Sequence, residues 1–170
     1  MSLYDSSVPQ PTKMLQNLER WLGKAADYAK TKNFDPETLL VARLAPDQYP
    51  LRKQIQAACD SAKFPAARLA GKKPPSHPDG EQTLPELRER IQSVISYLGS
   101  FKPEDFDGAD KRQIELPFAE GQVIDGSDYL CEMALPNFYF HLVTAYSILR
   151  HNGVDLGKID FIGSLNLRAK

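Results

Sequence analysis

Cysteine is almost missing: Cys59 and Cys131 are the two in a chain of 170 residues. Neither belongs to a Cys-x-x-Cys pair, which removes zinc-ribbon and dithiol redox chemistry. Two reduced, buried thiols in a cytoplasmic protein are the expectation. Histidine is scarce too, with His77, His141 and His151 making three, so an imidazole-rich site has little to draw on. There is no long hydrophobic run. Residues 135–149 come nearest, but Asn137 and His141 interrupt them, short of the roughly 18–20 apolar residues a membrane span needs. The first eleven residues lack the charged and apolar regions of a secretory signal. Charge of one sign is absent as well: 21 basic and 22 acidic residues leave a net charge of −1. The longest cationic run is Lys72-Lys73, so neither nucleic acid nor an anionic membrane is an expected partner. A Gly-rich phosphate loop, a Gly-x-Ser-x-Gly elbow and a His-Glu-x-x-His pair are all missing. Glu19, Glu86 and Glu89 fall on polar helix faces and form no paired-carboxylate centre.

What is present is enough apolar sequence, 42% of residues, for one core in a single domain spanning residues 1–170. Leu15, Leu18, Leu22, Ala25 and Ala29 recur at spacings of three and four, which predicts a helix over about 9–31 entered through Pro9 and Pro11. Asp35-Pro36-Glu37 opens a short helix to about Ala42. A second long helix, capped by Asp47, carries Leu51, Ile55, Ala58, Ala62 and Leu69, with a kink expected at Pro65. Residues 71–82, with three prolines and two glycines, predict a loop that leaves His77 solvated. Thr83 with Glu86 makes a capping box for a third helix, on which Leu84, Leu87, Ile91, Val94 and Leu98 form the stripe. The period then changes to two: Ile114, Leu116 and Phe118 alternate, Ala119-Glu120-Gly121 turns, and 122–124 returns as a small β-hairpin between helices three and four. Residues 125–128 cap the fourth helix, which bends at Pro136 and stops at Gly153. In the tail, 154–170, the apolar residues Ile159, Phe161, Ile162 and Leu165 predict packing.

The fourth helix is the most telling segment. It is hydrophobic nearly all round, so it must be buried on most faces. Leu130, Ala134, Asn137, His141, Thr144 and Ile148 share one seam at spacings of four and three. A buried polar group without a partner costs about 1–3 kcal/mol, so Asn137, His141 and Thr144 need each other, water, a metal or a ligand. The plainest outcome is a hydrogen-bonded structural histidine. Tyr139 and Tyr146 are candidates to line a pocket. His151, about 280° round and about 15 Å along from His141, cannot share a metal with it. With Arg150 it offsets the helix dipole.

The segment LPNFYFHLVTAYSILRHNGVDLGKIDFIG, preceded by LAPDQYPLRKQIQAACDSAK, resembles a bacterial domain-of-unknown-function family of the DinB/YfiT-like superfamily, which contains metalloenzymes. The resemblance runs over roughly residues 8–163. It implies an all-α, up-down-down-up four-helix bundle, often dimeric. Metal-binding members place one histidine on the second helix and a His-x-x-x-His pair on the fourth; some are metal-dependent thiol transferases and others maleylpyruvate isomerases. Anchored on Leu149-Arg150, the pair falls on Asn137 and His141. The second-helix histidine belongs near Ala57, yet no histidine occurs between Gln48 and Gly71, and Gln54, Gln56 and Asp60 are the alternatives.

The resulting expectation is an uncharacterised DinB-like bundle with a degenerate metal site, binding a small molecule in a pocket formed by Gln56, Asn137, His141, Thr144 and Tyr146. The competing readings are a metal-dependent transferase that holds a divalent metal, zinc or nickel, through His141 and Asp60 with Asn137, and a non-catalytic protein self-associating as a homodimer through a helix face and the tail.

Overall fold

In the structure, a computed structural model that describes residues 2–168, the three stripes read from the first three long helices are all buried. They belong to α2 (Pro9–Lys32), α3 (Leu51–Leu69) and α4 (Leu84–Leu98). The fourth long helix is built in three parts: α5 (Gly126–Asp128), a π-helical stretch (Tyr129–Ala134) and α6 (Leu135–His151). A short α1 (Leu3–Ser7) precedes α2, held by a capping box between Ser2 and Asp5. That Ser-x-x-Asp pattern was in the sequence, hidden behind Pro9 and Pro11, which drew the helix start to themselves.

Cross-helix contacts fix the directions. Gln10 donates to the Tyr139 hydroxyl at 2.8 Å, and Trp21 meets Tyr146, so α2 and α6 run parallel. Gln54 pairs with His141, Ser61 with Asn137 and Arg68 with Tyr129, so α3 is antiparallel to α6. Arg52 meets Gln82, Asp60 meets Arg90, and Lys72 meets Phe101, so α3 and α4 are parallel. The bundle is therefore up-down-down-up. A parallel pair cannot be joined by a tight turn; the chain must return the length of α3, about 28 Å at 1.5 Å per residue. Residues 71–82 are that return strap.

Several local expectations are corrected. The cap of α3 is Pro50, not Asp47; proline's fixed φ and missing N–H suit a helix entrance, and Asp47 stays in the preceding turn. The hairpin is shorter than the alternation suggests: β1 (Gln113–Glu115) pairs antiparallel with β2 (Val123–Asp125), with Ile114 opposite Ile124. Pro117 cannot donate to a ladder, so Leu116 and Phe118 lie in the connection and Phe118 is exposed. Pro136 is absorbed by the π-helical stretch before it, in which the Leu135 N–H reaches back five residues to the Leu130 carbonyl. Cys131, on that stretch, is exposed, whereas Cys59 is buried.

Of the residues expected to pack the tail, Phe161 does so, while Ile159 and Leu165 do not. Val154 and Leu156 are fully buried, α7 (Lys158–Ile162) follows, and Ile159 and Leu165 face outward. Phe161 stacks on Trp21 at 5.4 Å and meets Tyr146 edge-on at 5.6 Å. The Trp21 indole donates to the Asp160 carbonyl at 3.0 Å and Asn17 donates to that of Phe161 at 2.8 Å. Those bonds fix which face of a five-residue helix turns inward. No described helix is long and apolar enough to cross a membrane.

Two glycines separate packing from propensity. A Cβ on Gly126 would run into the Ala109 carbonyl and stand 2.9 Å from Leu69 Cδ2, whereas one on Gly23 would meet nothing within 4 Å. Gly126→Ala should lower stability by about 1–3 kcal/mol, and Gly23→Ala, inside α2, should raise it by about 0.5–1 kcal/mol. Urea midpoints of the two variants check both signs.

Candidate functional site

A cleft of about 270 Å³ opens between α3 and the fourth long helix. From α3 it takes Ala57, Asp60, Ser61, Phe64, Pro65 and Arg68, a helical repeat that keeps one face toward it. From the opposite side come Tyr129, Met133, Ala134, Asn137 and His141. Tyr129 and Ala134 are five residues apart, and a standard helix would turn them to different faces. The i→i+5 closure of the π-helical stretch brings them to the same side, so Pro136 shapes the cleft wall without lining it.

His141 is 9% exposed and turned inward. Its Nδ1 lies 2.8 Å from Gln54 Oε1. The Gln54 amide nitrogen donates to the Tyr49 carbonyl at 3.3 Å, so the oxygen faces the ring and Nδ1 must carry the proton. Nε2 is then an unprotonated acceptor. Desolvation pushes the imidazole pKa below its ordinary value, which keeps the ring neutral at pH 7.

The candidate residues scatter. Asn137 stands in the cleft beside His141 and donates to Ser61 Oγ at 2.7 Å. Asp60 also reaches the cleft, but Arg90 and Lys63 both hold its Oδ1 at 2.9 Å. Gln56 points to the α4 side of α3 and donates to Glu81 at 2.9 Å; an offset of two residues on a helix is about 200°, so Gln54 takes the place beside His141. Thr144 bonds back to the Phe140 carbonyl of its own helix. Tyr146 bonds the Leu156 carbonyl at 3.3 Å inside the Trp21–Phe161 cluster. The pocket expected from five residues thus contains two of them. Tyr49, Lys53, Ser61, Phe64, Arg68 and Tyr129 complete it, and none carried a helical-period signal that pointed there.

A zinc or nickel centre of the superfamily's type needs three donors of imidazole or carboxylate character. Ala57, at the position where the resemblance puts the second-helix histidine, offers a methyl group to the cleft. The Asn137 amide nitrogen is engaged, and Asp60 is already held by two cations. Among the described residues no three His, Cys, Asp or Glu side chains come together. The residues present do not fit that metal.

The strap carries a second polar cluster that sequence reasoning missed. Lys63 and Arg90 have side chains only 1% exposed. Arg90 bonds Asp60, Asp79 and Glu81 at 2.9–3.0 Å, and Lys63 bonds Asp60. Lys63 also lies 3.0 Å from His77 Nδ1, and His77 Nε2 lies 3.0 Å from Ser93 Oγ. An ammonium can only donate, so Nδ1 accepts and the Nε2 proton goes to Ser93. His77 is therefore a fixed spacer, not a solvated loop residue. The clue was Arg90, adjoining the apolar stripe of α4 and facing a loop with Asp79 and Glu81. Cys59, fully buried beside this cluster, has its thiol pushed up to about 12 by desolvation, so it is no nucleophile.

Four long helices in this order, with a polar cleft between the second and fourth, define a DinB-type bundle. Residues 3–162 match the family described as Domain of unknown function (DUF1993), and the chain belongs to that family. A crystal structure of a DinB family member protein from Shewanella denitrificans is similar to it with a TM-score of 0.96 at 47% identity, covering 99% of this chain and 96% of that one. Among curated proteins none matches the chain.

Acid should loosen the strap cluster first. The pKa of His77 is lowered by desolvation, then by Lys63 and Arg90. Its unfolded value is near 6.5, so the unfolded chain takes up the proton first, and stability falls as pH drops below about 6.5. Desolvation raises the carboxyls of Asp79 and Glu81, but their bonds outweigh it and both end below their ordinary values. Their contribution is full above about pH 4.5 and is lost below it. Urea unfolding between pH 8 and pH 4 should show a decline in two stages. His77→Gln, which keeps an acceptor for Lys63, should flatten the upper stage, and His141 supplies the part that remains. An unchanged slope between pH 7 and pH 5 in that variant would contradict the assignment.

Proposed function

We propose that this protein binds a small organic molecule in the α3–α6 cleft and that His141 receives it. The observation that carries this reading is the contact between His141 Nδ1 and Gln54 Oε1, from which the tautomer follows. With Nδ1 tied to Gln54, the lone pair on Nε2 is the open acceptor of a neutral, desolvated imidazole. A ligand hydroxyl or N–H suits that acceptor. The Asn137 carbonyl and the Ser61 hydroxyl are the next polar contacts, between the apolar surfaces of Ala57 and Phe64. Few polar groups set in apolar walls are what a small-molecule site requires. The transferase reading loses ground because its ligand set would need to strip Asp60 from two cations.

Ligand-observed NMR with small alcohols, amides and carboxylic acids tests it. Hits should weaken about tenfold or more in His141→Phe, the loss of one desolvated hydrogen bond; the variant also leaves the buried Gln54 oxygen unpaired, so it should stay folded with an unfolding temperature a few degrees below the parent. No hits, or hits indifferent to His141, would overturn the proposal. Zinc and nickel should leave the unfolding temperature unchanged; a stoichiometric, His141-dependent rise would favour the metalloenzyme instead.

A second reading, self-association, is favoured by Phe140 and Val143, one turn apart on α6 and 53% and 47% exposed. Sedimentation velocity should find a dimer in the parent and a monomer in the double variant Phe140→Ser, Val143→Ser. A monomeric parent at tens of micromolar, on the order of a weak dimer's dissociation constant, ends that reading.

A further inference from the structure

The charges of the cleft are unequal in one respect. Lys53 is paired with Asp79, and Asp60 with Arg90 and Lys63. Arg68 stands apart: among the described residues it has no carboxylate partner. The one bond it makes is from Nη1 to the Tyr129 hydroxyl at 2.9 Å. Its guanidinium lies over the rings of Phe64 and Tyr129, at 5.5 and 5.7 Å from their centroids. Those faces hold the cation in place without neutralising it.

Nor is Arg68 used to finish its own helix. The last carbonyls of α3 are already taken: Ala66 by the Ala70 N–H, Ala67 by Lys72, Arg68 by Gly71, and Leu69 by the Arg112 side chain. A guanidinium has five N–H donors, and the bond to Tyr129 uses one. The arginine is half-buried at the cleft wall, where an anion would be partly shielded from water and its pairing correspondingly strengthened. The local charge tally agrees. Lys53, Lys63, Arg68 and Arg90 face Asp60, Asp79 and Glu81, and the surplus cation is Arg68.

Resting on the reading that this cleft binds a small molecule, we infer that the molecule is an organic carboxylate: Arg68 takes the carboxylate as a fork, and His141 Nε2 takes a hydrogen-bond donor at the far end of the same molecule. Helix register sets the length. Arg68 and Ala57 are eleven residues apart on α3, about 16 Å of rise, and the arginine's own reach shortens the gap to roughly 10 Å. Between the two ends the walls are Phe64, Met133 and Ala134, which suits an apolar chain. The ligand class is therefore a carboxylate with an apolar body of about eight carbons and a distal hydroxyl or N–H.

The test uses 8-hydroxyoctanoate and its uncharged analogue 8-hydroxyoctanamide as probes, with affinities from saturation-transfer NMR on the full chain. The parent should bind the carboxylate about tenfold tighter than the amide. Arg68→Met should abolish that preference, while Arg68→Lys, which keeps a charge and checks for loss of folding, should retain part of it. Equal binding of both probes by the parent, still weakened by His141→Phe, would overturn the carboxylate assignment and leave the binding site standing. A preference that survives in Arg68→Met would also overturn it. Binding of neither probe, together with no hits from the wider set of small molecules, would remove the site and this inference together.

Discussion

Lys63 and Arg90 are buried charges, and a buried charge persists only with partners. Their partners come from the connection that the bundle's topology imposes. Because α3 and α4 run the same way, the chain must travel back along them before α4 begins, and that return lays His77, Asp79 and Glu81 against the seam. Asp60 is drawn into the same cluster. A carboxylate that would otherwise stand free at the cleft is thereby committed to two cations, and the cleft is left without an acidic donor at liberty to take a metal. The strap and the cleft lie on neighbouring faces of α3, and the charges of one set the chemistry of the other.

Within the cleft, a second chain of dependence fixes one atom. The Tyr49 carbonyl orients the Gln54 amide, the amide oxygen orients His141, and the imidazole presents Nε2 as an acceptor. Each link is a single hydrogen bond, but the alternative arrangement at each step leaves a buried group unpaired. The same two helices bear the prolines that disturb regular geometry. Pro65 removes one intrahelical bond beside Ser61, and the widened turn ahead of Pro136 swings Tyr129 into line with Ala134 and Asn137. Irregularity on both walls is what separates this surface from an ordinary helix interface.

Most of the architecture was legible because it rests on periodicity. The stripes from Leu15 to Ala29, Leu51 to Leu69 and Leu84 to Leu98 are local patterns, and burial follows from them directly. The Thr83 capping box and the Gly153 stop are local too, and both occur as read. The family resemblance supplied the up-down-down-up order, which no period reveals. The site was half legible. His141 and Asn137 lie on one seam of one helix, so their shared direction was a matter of spacing. Gln56 was misplaced for the reason Gln54 was passed over: which face of α3 meets the fourth helix depends on a rotation of that helix, and 100° per residue turns a small error into a different neighbour.

Alone, then, the sequence determined where helices form, which stripes seek cover and that one imidazole points inward, since these depend on residues within a few turns of each other. Only the tertiary structure decided that Arg68 stands without a counter-charge among the described residues, that His77 is a wedge between Lys63 and Ser93, and that Tyr146 supports the tail and not the cleft. Those facts depend on groups that meet across the bundle from positions as far as 144 residues apart. No local pattern encodes such a meeting; it arises when packing chooses one rotation and one register for each helix.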